Sequence, residues 1–176
     1  MNYFEFFGLP VALYVDEKAL RSAFLKNSKK FHPDFHSLAD DAQQADMLEL
    51  STQNNQAYLT LSSPDSRLRY LLELKGLIGE ENENPQLPQD FLMDMMDINE
   101  NLMQLEFHFE QALFDKTLNA VAQIENELET SVKPILEGWD EANGTEEDLE
   151  KAKDYFFKRR YLLRIKENLS KFAPSN

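Results

Sequence analysis

The chain has 176 residues, 42% of them hydrophobic and 28% charged, and 18 basic against 32 acidic residues give a formal net charge of −14. That length and apolar content allow one large or two small domains with a hydrophobic core, and the acidic balance argues against nucleic acid as a partner, because phosphate binding needs a basic surface. Cysteine is absent, which removes disulfides, thiolate metal sites and cysteine nucleophiles.

The N-terminus, "MNYFEFFGLPVAL", lacks the positive charge of a signal peptide and the arginines of a transit peptide. No stretch approaches the ~18 consecutive apolar residues of a membrane span. No membrane partner is therefore expected, and a reducing, bacterial-type cytoplasm is the expected compartment. Strand signals are sparse and helical periodicity dominates, so the expected fold is all-α.

"NYFEFFGLP" reads as a short first helix ended by Gly8 and Pro10. Asp16 is placed to cap the next helix, "EKALRSAFLKNSKKF". Leu20, Ala23, Phe24, Asn27 and Phe31 share its apolar face, while Lys18, Ser22, Lys26 and Lys29 fall on the other side at about 100° per residue. Arg21 and Lys30 add to this basic surface, whereas Glu80 to Glu150 is dense in Asp and Glu. Opposite charge in two regions suggests two modules. The basic helix stops at His32-Pro33-Asp34, since proline lacks the N–H a helix needs and its ring collides with the preceding turn.

A third helix follows, with Met47, Leu50, Asn54, Ala57, Tyr58 and Leu61 at helical spacing. Ser63 then caps a short fourth helix with Pro64 at its first position, and Gly76 ends it. "GEENENPQLPQD" is acidic and holds Pro85 and Pro88, so the chain divides into residues 1–76, a linker at 77–88 and a second module at 89–176. Three long helical segments joined by short turns predict an antiparallel three-helix bundle there. Asn143-Gly144 separates the last two, and Pro134 is expected to kink or divide the middle one.

The first helix of that bundle begins at about Asp90. Phe91, Met95, Ile98, Leu102, Leu105 and Phe109 make a core-facing stripe at alternating spacings of four and three. Leu92, Met93, Met96 and Met103 are left beside it, interleaved with Asp97, Asn99 and Glu100. Two readings are open. The residues form a wide core seam, or they form an exposed apolar patch rimmed by carboxylates, which marks a protein-binding surface. Methionine suits the second because it is flexible and polarizable.

Signals for catalysis are weak. The histidines are His32, His36 and His108. The first two have the spacing of helical metal ligands, but Pro33 between them prevents continuous helix. His108 lacks the helical Glu-x-x-His spacing of di-iron bundles. Glu146, Glu147 and Asp148 read as the solvated first turn of a helix. Glycine-rich phosphate loops and Gly-x-Ser-x-Gly elbows are missing. The expectation is a chain with no cofactor, no metal and no enzymatic activity of its own.

"HPD" at 32–34, "NQAYLTL" at 55–61 and "SPDSRLRYL" at 63–71, behind a basic amphipathic helix, resemble the J-domain family, whose members stimulate ATP hydrolysis by seventy-kilodalton heat-shock chaperones. "YFEFFGLP" at the start and "FLMDMMDINENL" at 91–102 are similar to the HscB co-chaperones of iron–sulfur cluster assembly, a likeness that covers essentially the whole chain. The resemblance implies a helical J-domain followed by a three-helix bundle. It implies that His32, Pro33 and Asp34 engage an HscA/DnaK-type chaperone, with Arg21, Lys26, Lys29 and Lys30 as a basic docking face. On the bundle it implies an IscU-type scaffold contact at Leu92, Met93, Met96, Asp97 and Glu100. Tyr161 matches an aromatic position the family also uses, although an ordinary bundle aromatic explains it equally well.

Met96 stands where leucine is common in the family and Asp97 where glutamate is common, which alters shape and reach; Asn99 and Gln104 weaken the charged rim. The function implied is an adaptor that brings the scaffold to the chaperone and stimulates its ATPase. The alternatives are a J-domain co-chaperone with a different client, or an acidic helical metal-binding or enzymatic protein that would purify with bound metal.

Overall fold

A computed structural model of the chain describes residues 1–36, 39–79 and 86–172. The predicted periodicities appear as α1 (Tyr3–Phe7), α2 (Glu17–Phe31), a one-turn 3-10 helix (Pro33–His36), α3 (Asp41–Ser62), α4 (Pro64–Leu74), α5 (Gln89–Phe107), α6 (Gln111–Gly138) and α7 (Glu146–Ser170). Among the described residues the extended pairing is a single antiparallel bridge between Ala12 and Asp140. The centre of the predicted linker, residues 80–85, lies outside the described residues.

Local chemistry sets the helix ends. Asn2 and Glu5 form a reciprocal capping box at α1, each side chain accepting the other's backbone N–H at 2.9 Å. Asp16 accepts from the N–H groups of Lys18 and Ala19 at 2.8 and 3.1 Å, satisfying two orphan donors of α2. Gly8 and Gly76, after α1 and α4, have φ of 65° and 68°, a left-handed conformation that favours glycine.

Backbone contacts divide the chain into two compact units, Met1–Ile78 with Ile135–Asp148, and Gly79–Pro134 with Leu149–Asn176. Residues 135–148, which the sequence places in the second module, are therefore tied to the first. Leu13 N–H donates to the Trp139 carbonyl at 3.1 Å, and Glu141 N–H donates to the Val11 carbonyl at 2.9 Å. The Trp139 indole is buried, donates to the Thr145 carbonyl at 3.1 Å, and fills the space where a side chain on Gly144 would lie. Lys75 pairs with Glu141 alongside. Pro134 does not divide α6, which is continuous through it, but the boundary between units falls directly after it.

In the first unit Phe4, Leu20, Leu61, Leu71 and Leu72 are fully buried. The α2–α3 hairpin is aligned by stacked Phe24 and Tyr58 rings, 4.3 Å between centroids. Buried Asn54 donates from Nδ2 to Ser28 Oγ at 3.0 Å and to the Phe24 carbonyl at 3.2 Å, which fixes the register of α3 on α2. Arg67 is buried as well. Its guanidinium donates to the carbonyls of Leu13 at 2.7 Å and Leu61 at 2.6 Å, and desolvation lowers its pKa from the ordinary arginine value.

The second unit closes around Phe91, Met95, Ile98, Leu102 and Leu105 of α5, which meet Phe114 and Val121 of α6 and Leu162, Ile165 and Leu169 of α7. Phe109 departs from the predicted stripe. α5 ends at Phe107, and Phe109 lies in the connection, 44% exposed, against the rings of Phe114 and Phe172.

Candidate partner-binding surfaces

Two surfaces carry the residues singled out by sequence. The first begins where Pro33 ends α2. His32 takes an extended conformation, φ −64° and ψ 130°, and the chain turns through Pro33–His36. His32 Nδ1 accepts the N–H of Asp34 at 3.2 Å. The Asp34 carboxylate, 3.6 Å from the same nitrogen, pairs with the ring only if it becomes protonated. His36 Nε2 lies 2.8 Å from the Lys30 carbonyl; a carbonyl can only accept, so Nε2 is the donor. This bond folds the turn back onto the last turn of α2.

His32, Pro33 and Asp34 are all exposed, the Asp34 side chain at 87%. Arg21, Lys26, Lys29 and Lys30 are exposed on α2. Lys29 and Lys30 fall in its last turn, where the partial negative charge of a helix C-terminus favours cations. His36, whose spacing from His32 matches helical metal ligands, is a structural tie. Proline at 33 removed the helix that would have aligned it with His32.

The second surface is the side of α5 turned away from its core stripe. Leu92 is 40% exposed, Met93 62% and Met96 67%, and Asp97 and Glu100 are exposed beside them. The wide-seam reading of the methionines is thereby excluded. Tyr161 of α7 is half-buried at the edge of this surface. Its ring meets Phe91 edge-on at 5.9 Å, and its hydroxyl accepts from Asn99 Nδ2 at 2.8 Å. It therefore serves the bundle and also borders the exposed face. On the opposite edge, Asp94, Asp97, Lys116 and Glu127 line a groove between α5 and α6, floored by Ile98 and Ile124.

Framework chemistry lies elsewhere. Burial raises the Tyr70 pKa above the usual phenol value, and its hydroxyl accepts from Tyr3 N–H at 2.9 Å. Hydrogen bonds from Asn143 and Ala142 lower the Asp140 pKa below the usual carboxylate value. Among the described residues no three His, Asp or Glu side chains are grouped to hold a metal ion. No described helix is long and apolar enough to cross a membrane.

A helical hairpin closed by an exposed His-Pro-Asp turn, in a chain that also carries a helical bundle with an exposed apolar face, defines a J-domain-type co-chaperone. Residues 87–170 match the family model described as the HSCB C-terminal oligomerisation domain. A co-chaperone protein HscB homolog of Chromobacterium violaceum is 32% identical over 133 residues, 74% of this chain and 76% of that protein. One from Aliivibrio salmonicida is 36% identical over 147 residues, covering 81% and 85%. The crystal structure of human co-chaperone protein HscB superposes with a TM-score of 0.70 at 27% identity, over 97% of this chain and 81% of that one. Chaperone HscB from Vibrio cholerae gives 0.63 at 25% identity, over 97% and 96%. The chain belongs to the HscB co-chaperone family.

Proposed function

We propose that the chain is an adaptor of iron–sulfur cluster assembly. The exposed face of α5 holds an IscU-type scaffold protein, and the His-Pro-Asp turn presents it to an HscA/DnaK-type heat-shock chaperone and stimulates that chaperone's ATPase. The observation that carries this reading is the exposed, internally braced His-Pro-Asp turn on a basic helix in a member of this family.

In physical terms the turn offers one carboxylate, Asp34, to an arginine or backbone donor of the partner, a charge-assisted contact of high directionality. The α2 cations act chiefly on orientation and association rate against an acidic partner surface. His32 holds the turn and needs no proton transfer. The adaptor biases a two-state partner toward its hydrolysing form and does no chemistry itself.

Steady-state ATPase of the chaperone tests this. Asp34→Asn should abolish stimulation, by at least tenfold, with helicity unchanged. An undiminished rate would refute the assignment. Loss of stimulation in a chain that fails to bind an IscU-type scaffold would keep the co-chaperone mechanism and assign it a different client.

A further inference from the structure

The exposed face of α5 does not stop at Glu100. With Met93 as reference and about 100° per residue, Met96, Glu100, Met103 and Phe107 all fall within a sector of about 80°, on the side away from the core stripe. Met103 is 63% exposed and Phe107 93%, so the apolar surface runs from Met93 to the end of the helix. At the helical rise that is about 21 Å. Exposed apolar residues scattered singly are ordinary, but four aligned along one helix form a contiguous patch of the kind that marks a partner site.

We infer that this stripe is one docking surface, with Met103 and Phe107 as its distal anchor, and that the scaffold region it takes presents a lysine or arginine between two apolar patches. The inference rests on the proposed function. Continuity and charge carry it. Met103 lies one turn beyond Glu100 and Phe107 one turn beyond Met103, on the line that Met93 and Met96 begin. Glu100 interrupts the apolar line midway, with Asp97 along its edge, so a complementary surface must carry a cation there. Phe107 adds a large aromatic side chain, a type that, like methionine, is enriched in interface cores. Ile98, Leu102 and Leu105 are buried directly behind the stripe, so the helix is held in place before the partner arrives.

Calorimetric titration with an IscU-type scaffold protein tests the inference, using Met103→Ala with Phe107→Ala, Leu92→Ala with Met96→Ala, and Glu100→Lys, each checked for unchanged helicity. The distal pair should weaken binding at least tenfold, ~1.4 kcal/mol. Glu100→Lys should weaken it more, and added salt should narrow the gap between that variant and the unsubstituted chain, because screening relieves the new like-charge contact. If the proximal pair weakens binding while the distal pair stays within twofold, the surface ends at Glu100; the inference falls and the proposed function stands. If neither pair matters, both fall. If sedimentation shows that the distal pair breaks a dimer of this chain without changing scaffold affinity, the stripe belongs to a second copy and the inference is overturned.

Discussion

The turn at residues 32–36 keeps its shape through local hydrogen bonds and buries none of the residues Pro33–His36. The outer face of α5 has no such bracing and is aimed by the buried stripe on the other side of the same helix. A site of the first kind fails when one side chain is changed, with little cost in stability. A site of the second kind tolerates surface changes structurally and is lost when the core behind it fails. The same chain therefore carries one surface governed by local geometry and one governed by tertiary packing.

Adjacent methionines give the sharpest contrast. Met95 is 1% exposed and Met96 67%. Met95→Ala should cost about 2–5 kcal/mol through lost burial and the cavity left behind. Met96→Ala should change stability by less than about 0.5 kcal/mol while weakening scaffold binding. Chemical denaturation followed by circular dichroism measures both, and equal destabilisation would break the distinction.

A smaller effect is expected from Arg67→Met in the first unit. It leaves the Leu13 and Leu61 carbonyls without their donor, at a cost of about 1–3 kcal/mol. Because the turn at 32–36 is braced by bonds among residues 30–36, away from Arg67, ATPase stimulation per folded molecule should not change. Loss of stimulation well below the melting temperature would show that the turn depends on packing after all.

The smallest effect concerns Asp140, whose carboxylate accepts from Asn143 Nδ2 at 3.0 Å and from the N–H groups of Asn143 and Ala142 at 2.8 and 2.9 Å. Its folded pKa is depressed, so the stability it contributes is complete above its unfolded value of about 4 and is lost as pH falls through the folded value. The stability gap between the natural chain and Asp140→Asn should be constant from neutrality to about pH 4 and close below it. A gap that widened on acidification would contradict the assignment. Both partner surfaces should be indifferent to this substitution.

Helix identity, caps and the two-sided character of α5 were legible because each depends on residues within a few positions. Asp16, Ser63 and the alternation from Phe91 to Leu105 announce themselves locally. Residues 135–148 were not, since they are tied to the first unit by two backbone bonds across more than a hundred residues and by the Lys75–Glu141 pair, none of which leaves a periodic trace. Arg67 looks like its neighbour Arg69 in composition, yet it precedes buried Leu71 by one turn, and that offset was the available signal. His36 was hidden because its partner is a backbone carbonyl, which no side-chain pattern encodes. On α5, Phe107 was passed over because the core stripe was followed to Phe109, beyond the end of the helix.

The adaptor mechanism requires both surfaces to act on one molecule. It is tested most directly by chaperone ATPase in the presence of the scaffold protein, with an equimolar mixture of Asp34→Asn chain and Leu92→Ala, Met96→Ala chain. Each variant keeps one surface and lacks the other. The mixture should fail to reach the joint stimulation given by the unsubstituted chain. Full restoration by the mixture would show that the two surfaces work independently and would contradict the adaptor mechanism.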